Sequence, residues 1–402
     1  MEQWRRNNIA ATLSVFFLTA GFSFTIPFLP LYLEDLDGLS GEQAALWAGI
    51  ATGLGGVGAF FSGPIWGMFG DRFGRKPMLV RAAAGGAVGL LAIGLATATW
   101  QVVIARFWVG VMGGSPAASM ALVTSRTPEE HVPRWLANLQ ASSLLGIALG
   151  PVAAAGLIEW LDFRGTFFVT SGVMALGALA TVVIVKEDRS SFRGRAPNPT
   201  PKHERVGLRH ILRSKPARTT FFLVAAMGIG VAMIQPVLAG FVKTLVSTGN
   251  VNFGVGALYF GISALGALAS LLAGRLLPSV GVVRVAVFSS IGVGVFLLPQ
   301  GLSTAYWHLV PLVLMMAFFY GAVQASIVRL VAAVIPKDQV GTGFGVYQSI
   351  RAASLQIAPA FGGAIAASVG FAAVFPIAGL VVLVAGVVAS RLLPKVLLAA
   401  EA

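Results

Sequence analysis

Long apolar runs, each interrupted by a short charged or Pro- and Gly-rich break, recur along the whole sequence. One such run, GIATGLGGVGAFFSGPIWGMF, ends at the charged hairpin GDRFGRKPML, residues 70–79. A helix of about 20 apolar residues spans the hydrocarbon core of a bilayer. Only 11% of the residues are charged, against about 25% in soluble domains. The chain therefore cannot cover a water-facing surface, and the pattern predicts a multi-pass helical membrane protein.

Cutting the chain at these breaks predicts an all-α protein of twelve transmembrane helices. The N-terminal run is taken as the first span, because it is too long for a signal peptide and no small-residue cleavage site follows it. The predicted spans are 9–33, 43–69, 79–97, 100–124, 135–160, 165–185, 219–245, 253–277, 282–301, 305–332, 341–368 and 371–393.

The basic residues predict the orientation of the chain. With the N-terminus inside, the cytosolic loops and tails hold all of the 28 Lys and Arg except Arg106, Arg164, Lys243, Arg329 and Arg351. The positive-inside rule then places both termini in the cytosol. We expect the protein in the cell (inner) membrane. Anionic lipid accounts for the net charge of +13, so no nucleic-acid partner is needed. We expect a monomer.

The sequence also contains an internal repeat. FRGTFFVTSGV at 163 resembles FAAVFPIAGLV at 371, and LQASSLLGIALGP resembles YQSIRAASLQIAP at the same offset of 208 residues. The second match aligns Gln140 with Gln348. The repeat predicts two pseudo-symmetric six-helix halves, 1–185 and 219–402, joined by a basic cytosolic linker, 186–218. Parallel repeats of this type place a substrate site near the midplane, between the halves.

The hairpin carries a family resemblance. GPIWGMFGDRFGRKPML resembles the signature loop between spans two and three of the major facilitator superfamily. RFWVGVMGG and GIALGPVAAAG are similar to that superfamily's fourth-span motif and to the fifth-span motif of its proton-coupled antiporters. The first and eleventh spans look like those of a bacterial multidrug efflux branch. The resemblance implies the major facilitator fold, and transport coupled to protons by alternating access.

The hairpin has two interpretations. In the topological one, cationic residues pin a cytosolic turn that Gly70 and Gly74 permit. In the functional one, Asp71 faces a helix N-terminus of the other half, with Arg72 and Arg75 nearby, and holds the cytosolic side shut. Pro278 replaces Asp71 in the second half, so the sequence does not duplicate such a latch.

Small residues and a proline mark the fifth span. Gly146, Gly150 and Pro151 predict a close-packed face followed by a kink. The functional interpretation, implied by the resemblance, is that this helix seals the path between the halves against leakage.

Two arginines fall inside predicted spans, where charge is costly and usually functional. Arg106 lies about 9 Å from the outer end of span four. The resemblance implies a role in proton movement, and snorkelling to the outer interface is the alternative. Arg351 lies about 15 Å into span eleven, and its repeat partner is Ser143. We predict that Arg351 faces the substrate cavity.

Acidic residues are absent from the body of every predicted span. Glu34, at the outer end of span one, is either a proton or substrate site or an exposed helix end. Two deep arginines without a deep carboxylate favour an anionic headgroup or amphiphile over a cationic drug. Further cavity candidates are polar or aromatic residues inside the spans: Phe24, Asn138, Gln140, Gln235, Tyr347 and Gln348.

The sequence predicts no enzyme activity. It contains no metal-ligand spacing, no nucleophile–base set and no phosphate-cradling loop, and it has no Cys. We therefore expect neither a metal nor a cofactor. The favoured function is proton-coupled efflux of a small amphiphilic or drug-like molecule. Uniport or uptake of a metabolite and flipping of a lipid or lipid-linked anionic substrate remain open.

Overall fold

A computed structural model describes residues 2–113, 119–120, 122–124, 127–186, 214–246, 249–335 and 340–393, and these residues are helical almost throughout. In chain order the helices are α1 Gln3–Asp37, α2 Gly41–Phe73, α3 Arg75–Leu95, α4 Thr99–Val111, α5 Val132–Ile184, α6 Lys215–Met233, α7 Gln235–Leu245, α8 Val251–Val280, α9 Val282–Leu297, α10 Tyr306–Val334, α11 Val340–Val369 and α12 Phe371–Leu392.

These helices confirm the predicted all-α membrane fold. Within the described ranges, 10 helices are long and apolar enough to cross a membrane. A helix suits apolar surroundings because it satisfies its own backbone hydrogen bonds. The segment α5 is long enough for two spans, and the non-helical backbone of Asp162, with φ of 61°, separates them. Asp162 lies where the sequence predicts the turn between spans five and six.

Two predicted spans are interrupted in the structure. Span four was predicted to run to residue 124, but α4 ends at Val111 and Gly113 is not helical. Span seven was predicted as one helix, but it is divided between Met233 and Gln235 into α6 and α7. Pro236 follows that division, and proline removes a helical hydrogen bond and crowds the preceding turn. The predicted linker 186–218 lies largely outside the described residues.

The chain divides into two compact units. Unit 1 comprises Met1–Leu39, Ile50–Pro201 and Val255–Ala257. Within it α1 and α3 both pack along α5, and α3 also packs against α4. The Asp37 carboxylate accepts a hydrogen bond from the backbone N–H of Thr99 at 2.6 Å. The end of α1 thus caps the start of α4.

Unit 2 comprises Ser40–Gly49, Lys202–Gly254 and Leu258–Ala402. Here α9 packs between α10 and α12, and α6 packs against α11 and α12. The first residues of α2 belong to this unit, because Gly49 lies against the backbone of Pro359 in α11. A side chain at position 49 would meet the Pro359 carbonyl oxygen, so glycine permits this helix contact.

The same helix crossing occurs in both units. In unit 1, Gly110 of α4 contacts the backbone of Gly55 in α2; in unit 2, Gly321 of α10 contacts the backbone of Gly266 in α8. The two residues of each pair are separated by the same 55 positions of the chain. At each crossing, a Cβ on the later glycine would meet a carbonyl oxygen of the earlier one.

Candidate functional site

Arg106 is buried inside unit 1. Its side chain is only 8% exposed, and its Nε has no hydrogen-bond partner among the described residues. The adjacent backbone is held by Gly55, which packs against the Arg106 carbonyl. A snorkelling arginine would extend its guanidinium to the surface. The structure therefore favours an interior charge over the snorkelling alternative.

The end of α4 is held by two side chains from neighbouring helices. The Trp66 indole Nε1 donates a hydrogen bond to the Val111 carbonyl at 2.6 Å, and Arg81 Nη2 donates one to the Gly113 carbonyl, also at 2.6 Å. The Arg81 guanidinium lies 3.9 Å from the centroid of the Trp66 ring, a cation–π contact. The sequence indicated Arg81 only as a topological charge, because the break in α4 was not predicted.

The hairpin after α2 is tied to helix ends. Lys76 Nζ donates a hydrogen bond to the carbonyl of Val182, in the last turn of α5, at 2.7 Å. A cation there complements the helix dipole. Arg72 is exposed and lies 5.4 Å from the Phe73 ring, and Arg75 lies beside Gly70. The Asp71 side chain lies outside the described residues, so the latch remains a prediction.

The glycine face of α5 packs against α1. A Cβ at Gly146 would meet Thr19, and one at Gly150 would meet Ser23 and the Ala20 carbonyl. Ser23 Oγ also donates a hydrogen bond to the Gly146 carbonyl at 3.1 Å. These contacts lie within unit 1. The role of α5 as a seal between the halves therefore remains a prediction.

Pro151 provides a different contact of α5. It is buried, and a Cβ at Gly256, in the first turns of α8, would lie 3.0 Å from the Pro151 carbonyl oxygen. Residues 255–257 belong to unit 1 for this reason.

Arg351 lies beside two tyrosines in unit 2. We call Tyr320, Tyr347 and Arg351 the Arg–Tyr cluster, because the Arg351 charge is close enough to act on both phenols. Tyr347 lies one helical turn before Arg351 in α11 and is 6% exposed, whereas Tyr320 belongs to α10. The guanidinium has no hydrogen-bond or ion-pair partner among the described residues. That Arg351 and Tyr347 face a substrate cavity remains a prediction.

The remaining cavity candidates are dispersed. Asn138, Gln140 and Gln348 have exposed side chains. Gln235 is half-buried at the start of α7, and its carbonyl accepts a hydrogen bond from the Tyr259 hydroxyl at 3.3 Å. Tyr259 was missed because no sequence signal links α8 to the break before α7.

Phe24 and Glu34 of α1 have different surroundings. Phe24 is 2% exposed and packs 5.0 Å from the Phe167 ring centroid, so in this structure its ring forms part of the unit 1 interior. Glu34 is partly buried near the end of α1, where its carbonyl accepts a hydrogen bond from Gly38. In the described part of the chain, no cluster of His, Asp and Glu could hold a metal ion.

Comparison with known proteins gives one consistent family. The sequence profile described as Major Facilitator Superfamily matches residues 11–269 and 220–398. The chain is 31% identical over 388 residues to the multidrug resistance protein MdtG of Escherichia fergusonii, covering 94% of this chain and 92% of that protein. It is 30% identical over 386 residues to MdtG of Proteus mirabilis, covering 93% and 92%.

The fold is also similar to solved structures. A bacterial homologue of the human lysosomal transporter Spinster, in an inward-facing and occupied conformation, superimposes with a TM-score of 0.79 at 14% identity. That match covers 98% of both chains. The human organic anion transporter MFSD10 gives a TM-score of 0.66 at 17% identity, covering 97% of this chain and all of that one. At these identities the likeness concerns the fold alone.

Proposed function

Because the chain belongs to the major facilitator superfamily, and is accordingly a small-molecule transporter of the inner membrane and not an enzyme, we propose that it exports drug-like amphiphiles by proton-coupled alternating access. The observation that carries this proposal is the 30–31% identity, over nearly the whole chain, to proteins named for multidrug resistance. Likeness over the whole length supports a shared direction of transport. Both termini face the cytosol in this proposal, as the distribution of basic residues indicates.

The charges inside the spans support a substrate with a negatively charged group. Arg106 is buried without a hydrogen bond at Nε in the described structure, and Arg351 lies beside Tyr320 and Tyr347. No Asp or Glu lies between Glu204 and Asp338, so the sequence supplies no deep carboxylate to the second half. An uncompensated arginine attracts an anion and repels an organic cation. The Arg–Tyr cluster is accordingly the proposed headgroup subsite.

Proton coupling needs a group that can bind a proton during the cycle. Arginine stays protonated in proteins, so Arg106 and Arg351 act through their charge and not by releasing a proton. The carboxylates nearest the spans are Glu34 at the outer side and Asp71 at the inner side. We propose that one of these two carries the proton while residues 1–185 rock against 219–402. Cross-links that pin the halves together on one side should then stop turnover.

The substrate class is tested by transport in inside-out vesicles that contain the protein and carry an imposed pH gradient with the lumen acidic. The panel consists of an anionic amphiphile such as a bile salt, a cationic dye of similar size, and a lysophospholipid. We expect ATP-independent accumulation of the anionic amphiphile and weaker accumulation of the cation. Preferred accumulation of the cation would contradict the role given to the arginines. Movement of the lysophospholipid alone would favour the lipid-flipping alternative, and movement that never exceeds equilibration would indicate a uniporter.

A further inference from the structure

A groove opens on the surface of unit 2 between α8, α9 and α10. Its volume is about 400 Å³, and side chains such as Ala269, Leu276, Phe288 and Phe318 line it. Phe288 is 70% exposed and Leu276 is 53% exposed. The groove follows α8 from Val280 to Ala269, a length of about 16 Å at 1.5 Å per residue.

One end of this groove is charged and the other is apolar. Arg284, in the first turn of α9, lines the groove beside the turn at Gly281, and its side chain is exposed. It has no ion-pair or hydrogen-bond partner among the described residues. Phe318, Phe319 and Ala322 line the opposite end, roughly in the middle of α10. The groove therefore presents a cation at the membrane interface and an apolar channel toward the membrane interior.

We infer that this groove binds one anionic phospholipid of the cytosolic leaflet. Arg284 contacts the lipid phosphate, and one acyl chain lies along α8 toward Phe318. Charge complementarity favours an anionic lipid over a neutral one, because a basic pocket between transmembrane helices on the cytoplasmic side binds an anionic headgroup. The length of the apolar part of the groove suits a lipid acyl chain, because acyl chains in a bilayer lie roughly parallel to the transmembrane helices. This inference rests on the proposed orientation of the chain, and it concerns a lipid that stays bound and not one that is transported.

The test is lipid binding to the purified full-length protein in a nonionic detergent, measured by native mass spectrometry. The probes are phosphatidylglycerol and phosphatidylcholine with identical acyl chains. We expect phosphatidylglycerol to bind preferentially to a single site. Arg284→Ala should weaken its binding by about fivefold, and Arg284→Lys should retain most of it. Arg391→Ala is the matched control, because Arg391 is exposed in the last turn of α12 and does not line the groove.

A second variant tests the apolar end of the groove. Leu272 lines the apolar part of the groove and is 38% exposed. Leu272→Ala removes apolar surface that an acyl chain would cover, so it should weaken the binding of both lipids while leaving the melting temperature in lipid-free detergent near that of the parent. Equal binding of the two lipids to the parent protein would show nonspecific annular lipid and overturn the assignment. Equal losses of phosphatidylglycerol binding in the Arg284→Ala and Arg391→Ala variants would also overturn the assignment. A dimer that dissociates on Arg284→Ala would assign the groove to a second copy of this chain instead.

Discussion

Arg106 and Arg351 illustrate how far single residues could be interpreted from the sequence. Their depth followed from their positions in apolar runs. Their surroundings did not, because the groups around them come from other helices. Gly55 packs on the backbone of Arg106 from α2, and Tyr320 reaches Arg351 from α10. Only Tyr347, one turn away in the same helix, could be placed beside Arg351 from spacing alone.

Substitution of Arg351 tests the Arg–Tyr cluster. Arg351→Ala should weaken binding of an anionic amphiphile by about tenfold, because it removes a charge-assisted hydrogen bond. Arg351→Lys should retain part of the affinity, because it keeps the charge but loses the planar fork. Equilibrium binding to purified protein measures both. Arg329→Ala is the control, because Arg329 is exposed near the end of α10. If both Arg351 variants bound the anionic amphiphile as tightly as the parent protein, Arg351 would not be part of the binding site.

Two glycines of α5 give a matched test of close packing. At Gly150 a Cβ would meet Ser23 Oγ and the Ala20 carbonyl, whereas at Gly156 nothing lies within 4 Å. Gly150→Ala should therefore destabilise the protein by about 1–3 kcal/mol. Gly156→Ala should stabilise it by about 0.5–1 kcal/mol, since alanine is the better helix former. Melting temperatures in one detergent compare the two variants, and equal melting temperatures would contradict the α1–α5 contact.

At the level of helices, the sequence predicted the spans better than the breaks within them. Hydropathy located the long apolar helices because the bilayer requires a continuous apolar helix. The breaks at Gly113 and before Gln235 were missed, because glycine and proline are common in membrane helices and often leave them intact. Pro151 lies within an unbroken helical stretch of α5, whereas Pro236 follows a break. Neighbouring side chains such as Trp66 and Arg81 decide whether exposed carbonyls at a break can be satisfied.

The repeated helix crossing can be tested in unit 2. A Cβ at position 321 would meet the Gly266 carbonyl oxygen, which cannot move without shifting α8. Gly321→Ala should separate α8 from α10, lowering both the melting temperature and transport. Gly274→Ala is the control on α8, because no atom lies within 4 Å of its Cβ position. A Gly321→Ala protein as stable and active as the control would show that the crossing tolerates a side chain.

The hairpin between α2 and α3 gives a second prediction at this scale. Asp71→Asn should reduce transport at least tenfold while leaving expression and melting temperature near those of the parent, because it removes a charge and keeps the shape. A tenfold reduction in transport corresponds to about 1.4 kcal/mol, which is close to the contribution of a charge-assisted hydrogen bond. Arg391→Gln serves as the control for loss of an exposed charge, because Arg391 lies in the last turn of α12 and has no part in the proposed latch. Full activity of the Asp71→Asn variant would leave only the topological interpretation of the hairpin.

On the scale of the whole molecule, the 208-residue repeat predicted two halves. The two compact units differ from these predicted halves at two short segments. Ser40–Gly49 belongs to unit 2 although it lies in the first half, and Val255–Ala257 belongs to unit 1 although it lies in the second. Backbone contacts at Gly49 and Gly256 produce these assignments. A repeat in the sequence identifies equivalent helices, but it carries no signal for contacts that each half makes only once.

The most direct measurement of the central claim is substrate movement in proteoliposomes under an imposed pH gradient. A fluorescent anionic amphiphile should accumulate against its concentration gradient only while the proton gradient persists, with protons moving in the opposite direction to the substrate. Accumulation should collapse when an electroneutral ionophore removes the gradient, and it should be absent from liposomes that contain the Asp71→Asn protein. Accumulation that persists without a proton gradient would contradict proton-coupled export.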